Sequence, residues 1–312
     1  MILTAEVPLE MAGMRLDQAL AELFAEYSRS KLQTWIKADR VQVNGEIQRP
    51  RTKLEGGETI TLDAEAEVVI NSEAEDIPLD IVYEDDDILI VNKPAGLVVH
   101  PAVGNWQGTL VNALLNHDPN LETLPRAGIV HRLDKDTCGL LMIAKNLMAH
   151  NSLTQQLQER SINREYLAIC RGRMTAGGTV DEPIGRHPSD RKRYVVRMSG
   201  KFAVTHYRVE KRFTRHTLVR VKLETGRTHQ IRVHMAHIRF PLLGDQVYGG
   251  RFQMPPACSE QLEIELRSFK RQALHATKLG LIHPATETYM EWEQPMPEDM
   301  LRLLSALAGN EK

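Results

Sequence analysis

Apolar residues recur with a helical period in the first part of the chain. Leu16, Leu20, Leu23 and Phe24 stand at i, i+4, i+7 and i+8, one face of a helix. Leu32, Trp35 and Ile36 mark a second helix, with Ser28 or Ser30 placed to cap its start. The period then changes. Val41-Gln42-Val43 alternates into Asn44-Gly45, a dipeptide suited to a tight hairpin turn, and Ile60-Thr61-Leu62 adds a strand after Gly56-Gly57. Two short helices and a small hairpin sheet predict a compact module over residues 1–70.

Residues 71–78 (NSEAEDIP) are polar, acidic and end in proline, which predicts a linker. From 79 to 312, apolar runs predict strands at 88–91, 140–144, 166–170, 203–210 and 217–223, interrupted by helices at 147–158 and 228–237. The order is irregular rather than βαβα. An α+β domain on a mostly antiparallel sheet is expected, beside the smaller α/β module. A length of 312 residues agrees with two domains.

No apolar run approaches the roughly 18 residues of a membrane-spanning helix, so no membrane partner is expected. Residues 1–10 carry two glutamates and no Lys or Arg, unlike the basic start of a signal peptide. The three cysteines, Cys138, Cys170 and Cys258, lie far apart with no CxxC pair, which suits a reducing compartment. A soluble, cytoplasmic protein is expected.

The net charge of −2 conceals a strong segregation. Residues 54–92 hold 13 acidic side chains and no basic ones, whereas 186–239 hold 15 Lys/Arg against three acidic residues. Residues 28–53 are again basic, seven against two, and Arg29, Lys31, Lys37 and Arg40 ride on the second helix and its exit. Basic blocks on a folded scaffold are the footprint of nucleic-acid binding, although solvated faces give the same pattern.

Three stretches concentrate chemistry: HRLDKDTCG (131–139), NREY (163–166) and LETGRTHQIRVHMAHIRFPLLGD (223–245). The first sets Asp134 and Asp136 beside His131 and Arg132 just before an apolar strand, which reads as a site or as a salt-bridged loop. In the third, His229 and Arg232 are three apart and would share a helix face. His234 and His237 share that spacing, but no Glu stands between them as in HExxH, and Arg232 would repel a cation. No metal is expected.

Together these stretches resemble the RluA/RluD family of pseudouridine synthases. HRLD followed by DTxG is similar to the family's catalytic loop, REY to its tyrosine motif, and LxTGRTHQIRVH to its third motif. NKPAGLVVHP (92–101) and RQALHA (271–276) add two further blocks in the family's order. The segment RLDQALAELFAEYSRSKLQTWIKADRVQVNGEIQRPRTKLEGGETI resembles an S4 domain, a small RNA-binding module that larger members of the family carry at the N-terminus. One departure is Cys138, where the family pattern leads one to expect a small hydroxyl residue.

The resemblance implies isomerisation of uridine to pseudouridine in RNA, without a cofactor. It implies large-subunit (23S) ribosomal RNA, or an assembling large-subunit particle, as the partner of a monomeric enzyme, with a different rRNA or tRNA site as the alternative within the family. Asp134 would then start glycosidic cleavage, Arg232 would pair with it, and Tyr166 would pack against the uracil. Arg132 would fill the place of the extruded base, while Arg191, Lys192, Arg193, Arg227 and His229 would contact RNA, as would the basic residues of the S4-like module. Asp136 receives no catalytic role. Two other classes stay open on the residues alone: a non-catalytic RNA-binding assembly factor, and a metal-dependent RNA hydrolase using Asp134, Asp136 and the histidines.

Overall fold

The computed structural model describes residues 2–24, 27, 29–64, 73–101, 105–190 and 192–310, the side chains of 29–31 excepted. The chain divides into two compact units, residues 1–71 and 72–312.

The first unit orders as β1 (Ile2–Glu6), α1 (Leu16–Leu23), α2 (Arg29–Lys37), β2 (Val41–Val43), β3 (Glu46–Ile47) and β4 (Thr59–Asp63). Its strands form an antiparallel sheet in the order β1-β4-β2-β3. Asn44 (φ 51°) and Gly45 (φ 81°) both take positive φ between β2 and β3, as a type I′ turn demands. Leu16, Leu20, Leu32, Trp35 and Ile36 pack with Val41, Ile60 and Leu62 in one core. The buried carboxylate of Asp17 ties the helices together, accepting from Arg15 at the start of α1 and from Gln33 of α2 at 2.8 Å. Ser30 lies inside α2 rather than at its cap, and Ser28 falls outside the described residues. Strand β1 has no counterpart among the elements the hydrophobic pattern predicts.

The second unit continues with β5 (Ile81–Glu84), β6 (Ile88–Lys93), α3 (Leu110–His117), β7 (Cys138–Ala144), α4 (Leu147–Glu159) and β8 (Asn163–Arg171). Then follow β9 (Gly178–Asp181), β10 (Ile184–Arg186), β11 (Tyr194–Val196), β12 (Val204–Arg212), β13 (His216–Leu223) and α5 (Gln230–His237). The chain closes with α6 (Glu260–Ser268), β14 (Leu274–Ile282), β15 (Tyr289–Glu293) and α7 (Glu298–Gly309). The main sheet runs β5-β6-β7-β14-β8-β13-β12-β9, with β15 also on β14; β10 and β11 form a separate hairpin. Every pairing is antiparallel except β7 with β14. Of the segment read as a linker, Glu73 and Glu75 bond through their backbones to Asn112 of α3.

Both faces of this sheet are covered, so β7 is an unbroken apolar run rather than an alternating one. In β7, Leu141 and Ile143 enter one core with Leu89, Val91, Tyr166 and Ala276, while Leu140 and Met142 face another with Ile88, Ile90 and Leu153 of α4. A third cluster joins α6 and α7 around Leu262, Leu303 and Phe269. One row crosses the sheet at the level that matters here: Gly139 of β7 opposes Ala276 of β14, which opposes Tyr166 of β8, which opposes Val221 of β13. Gly139 has φ 111°, and a side chain there would run into the Ala276 carbonyl, so only glycine allows the strands this close.

Candidate active site

Residues 134–137 form a tight turn just before β7, closed by the Thr137 amide donating to the Asp134 carbonyl at 3.0 Å. Four groups from elsewhere hold it. Lys93, at the end of β6 and only 1% exposed, donates from Nζ to the carbonyls of Pro94, Leu97 and Lys135 at 2.8, 2.9 and 3.0 Å. The Gly96 amide donates to the same Lys135 carbonyl, Arg271 to the Asp136 carbonyl, and the Gln272 side-chain amide to the Thr137 hydroxyl. Arg271 is itself gripped by both oxygens of Asp299 on α7. The NKPAG and RQALHA blocks thus act as the mounts of this turn. Burial pulls the Lys93 pKa down to about 8 against the opposing charges around Cys138, Asp136 and Asp134.

The Asp134 side chain projects toward α5. Its Oδ2 accepts from Arg232 Nη1 at 2.9 Å. The rest of that guanidinium belongs to Asp245, which accepts from Nε at 2.7 Å and Nη2 at 3.0 Å. Asp245 is buried, and its Oδ1 also accepts the backbone amides of Val247 and Tyr248. Burial disfavours charge on Arg232 and on Asp245, but their mutual hydrogen bonds win: the arginine's pKa is raised and the aspartate's lowered.

Asp134 Oδ1 remains outside this pairing and lies 3.9 Å from His229 Nε2. His229 is not on the helix face its spacing predicts. It caps α5 in the left-handed region, φ 57°, and reaches Asp134 from the cap. Its Nδ1 is 2.8 Å from the Tyr248 hydroxyl, which accepts the Tyr194 backbone amide at 2.9 Å. Burial lowers the His229 pKa; Asp134 opposes the shift, and Arg232 and Arg132 reinforce it. Tyr166 lies buried on β8 in the row already described. Burial raises its pKa, Arg164 counters that, and the Asp134 charge adds to it, so the phenol stays protonated.

The other expected site residues fall into four groups. Arg132, Lys192 and Arg227 are exposed, Arg227 donating to the Phe202 carbonyl. Arg193 turns partly inward, its guanidinium 5.7 Å from the Tyr248 ring centre. In the first unit Lys37 is exposed and Arg40 stands 3.5 Å from Asp63. The side chains of Arg29 and Lys31, and all of Arg191, lie outside the described residues. His131 is structural: Nε2 accepts the Met142 amide, and burial draws its pKa to about 3 with the help of Arg164. Both nitrogens of His234 are engaged, with Thr205 Oγ1 and the Glu182 carbonyl. Among the described residues only Asp85, Asp87 and His283 are grouped closely enough to hold a metal. There His283 Nδ1 accepts two backbone amides and Nε2 faces Asp85, so the ring has no nitrogen to spare. Asp245, Tyr248 and Tyr194 were missed by sequence reasoning. Asp245 ends the quoted LLGD run, but no spacing rule links it to Arg232, 13 residues earlier.

The structure thus places a carboxylate held by an arginine and a buried tyrosine on β8 in the second unit. The RNA pseudouridylate synthase family model matches residues 87–237, and the S4 domain model matches residues 14–60. The chain is 58% identical over 303 residues to the ribosomal large subunit pseudouridine synthase D of Pseudomonas aeruginosa, covering 97% of this chain and 95% of that one. It is 56% identical over 309 residues to the protein of that description from Escherichia coli, covering 99% and 95%. The chain belongs to the RNA pseudouridylate synthase family and is an isomerase. Among solved structures, human RNA pseudouridylate synthase domain containing 4 is similar with TM-score 0.58 and 26% identity, covering 73% of this chain and 92% of that one.

Proposed function

We propose that this enzyme isomerises uridine to pseudouridine in large-subunit (23S) ribosomal RNA, with Asp134 starting the reaction. The observation that carries the reading is the asymmetry at Asp134: Oδ2 is fixed by Arg232 while Oδ1 has no hydrogen bond among the described residues. A carboxylate fixed through one oxygen leaves the other for nucleophilic attack or proton removal.

The chemistry balances without a redox partner. The C1′–N1 bond breaks, the uracil turns, a C5–C1′ bond forms, the proton leaves C5 and N1 ends protonated. As nucleophile, Asp134 displaces N1 from C1′ and is displaced in turn by C5; as base, it takes the C2′ proton and returns it there as the C5–C1′ bond closes. Tyr166 packs against the uracil, and its phenol relays the proton that leaves C5, accepting it as its own proton passes on. A uridine in a folded RNA must first leave its stack, which costs a few kcal/mol, and Arg132 stacks its guanidinium in the vacated place. Lys192, Arg193 and Arg227 hold phosphates on this reading, with Arg29, Lys31, Lys37, Arg40 and Arg191 assigned the same role from sequence.

The RNA target rests on the relatives, which are named for the ribosomal large subunit and are similar over both units of the chain. We propose further that the enzyme acts as a monomer in the cytoplasm. No helix among the described residues is long and apolar enough to cross a membrane. Mapping pseudouridine in ribosomal RNA from cells lacking the protein tests the proposal. Loss of large-subunit sites, restored by the wild-type chain and not by Asp134→Asn, is expected; an unchanged map would overturn the target.

A further inference from the structure

The Tyr194 amide, the Tyr248 hydroxyl and the His229 ring form one chain of polar contacts. The Tyr194 N–H donates to Tyr248 Oη at 2.9 Å, so that oxygen is an acceptor there. Its own proton is then free to point along the 2.8 Å contact to His229 Nδ1, and we assign Nδ1 as the acceptor. An imidazole accepting at Nδ1 carries its proton on Nε2, and Nε2 is the nitrogen that faces Asp134 Oδ1 at 3.9 Å. Two aromatic contacts fix the ring: edge-on packing with Tyr194 at 5.7 Å and with Tyr248 at 5.6 Å between centres. The left-handed backbone at His229 is an uncommon conformation for a histidine, and it brings the ring over the helix start toward Asp134.

We infer that His229 is a positioning residue for the isomerisation: a neutral imidazole, locked by Tyr248 as the Nε2–H form, that sets the orientation of the reactive oxygen of Asp134. The inference rests on the reading of Asp134 as the initiating carboxylate. Arg232 fixes one oxygen and leaves rotation about that contact; a weakly directing N–H on the other side removes the remaining freedom without neutralising the charge. At 3.9 Å the N–H orients Oδ1 and leaves it able to reach the sugar. Burial favours the neutral ring. The role differs from that of an RNA-binding histidine, which would act on affinity and be indifferent to its tautomer.

The test uses the full chain and a ribosomal RNA fragment that the wild-type protein modifies. His229→Asn suits the left-handed backbone and shortens the donor; His229→Gln keeps an N–H with similar reach; Tyr248→Phe removes the lock alone. Single-turnover rates are expected to fall about 10- to 100-fold in His229→Asn and less in His229→Gln, with RNA affinity within about twofold of wild type. Nitrogen NMR of the imidazole is expected to show the Nε2–H form in the wild-type protein and a mixture in Tyr248→Phe. An Nδ1–H form in the wild type, or a His229→Asn variant with normal turnover and weakened RNA binding, overturns the inference. Asp134→Asn run alongside separates the two levels: turnover in that variant overturns the reading of Asp134 itself.

Discussion

Arg232 meets Asp134 through a single nitrogen, while Asp245 engages the other two nitrogens of its guanidinium. The arginine is therefore held by one carboxylate and presented to the other. A lysine has the charge but not the fork, and one ammonium cannot span both partners with this geometry. Arg232→Lys is expected to fold and to lose about 100-fold in single-turnover rate, as a misplaced carboxylate should. Arg232→Ala would also cost about 3–5 kcal/mol of stability by stranding the buried Asp245. Arg239, exposed and at φ 69°, is the control, and Arg239→Asn respects that backbone. Equal losses at 232 and 239 would reduce the segment to phosphate binding.

Asp134→Asn keeps the size of the side chain and its contact with Arg232 through the amide oxygen, but removes the charge. Isomerisation should vanish while the urea midpoint and RNA affinity stay close to wild type. Measurable turnover after removal of wild-type contamination would show that another group starts the reaction.

The strands of the central sheet were legible because burial on both faces leaves unbroken apolar runs, as at 140–144 and 166–170. Strand β14 was not legible in the same way, since His275, Thr277 and Lys278 break its apolar run, yet it is the strand that joins β7 to β8. The site divided along similar lines. Asp134, Tyr166 and Arg232 sit in short motifs whose residue types announce chemistry. Asp245, Tyr248 and Tyr194 act through contacts between distant segments, and nothing periodic connects them. His229 stands out by its spacing, but its position at a left-handed cap depends on how Tyr248 folds back over α5.

Lys93 gives a pH signature to the mount of the catalytic turn. In the native state its pKa is about 8, against an ordinary 10.5. The folded protein therefore gives up this proton before the unfolded chain does, so between these values the unfolded state binds more protons and stability rises with pH. Lys93→Met lacks the group and leaves three carbonyls without their donor. The stability gap between wild type and Lys93→Met is expected to widen by about 2 kcal/mol from pH 7 to pH 10 in denaturant titrations. A gap that stays flat or narrows would mean that Lys93 does not titrate in this interval.

The first unit has its own core, and its expected contribution is affinity rather than chemistry. Removing residues 1–71 should weaken RNA binding and flatten its dependence on salt, because fewer phosphates are neutralised and fewer counterions released. For every phosphate that the shortened chain no longer neutralises, the slope of log affinity against log salt falls by about 0.7 to 0.9. The second unit keeps Asp134, Arg232, Asp245 and Tyr166 within one set of cores, so slow isomerisation should survive at high enzyme concentration. Binding curves at several salt concentrations, run beside a pseudouridine assay on both proteins, measure the two effects separately. An unchanged slope would show that the S4-like unit does not grip phosphates. Loss of the cooperative unfolding transition in the truncated chain would show that the second unit cannot stand alone.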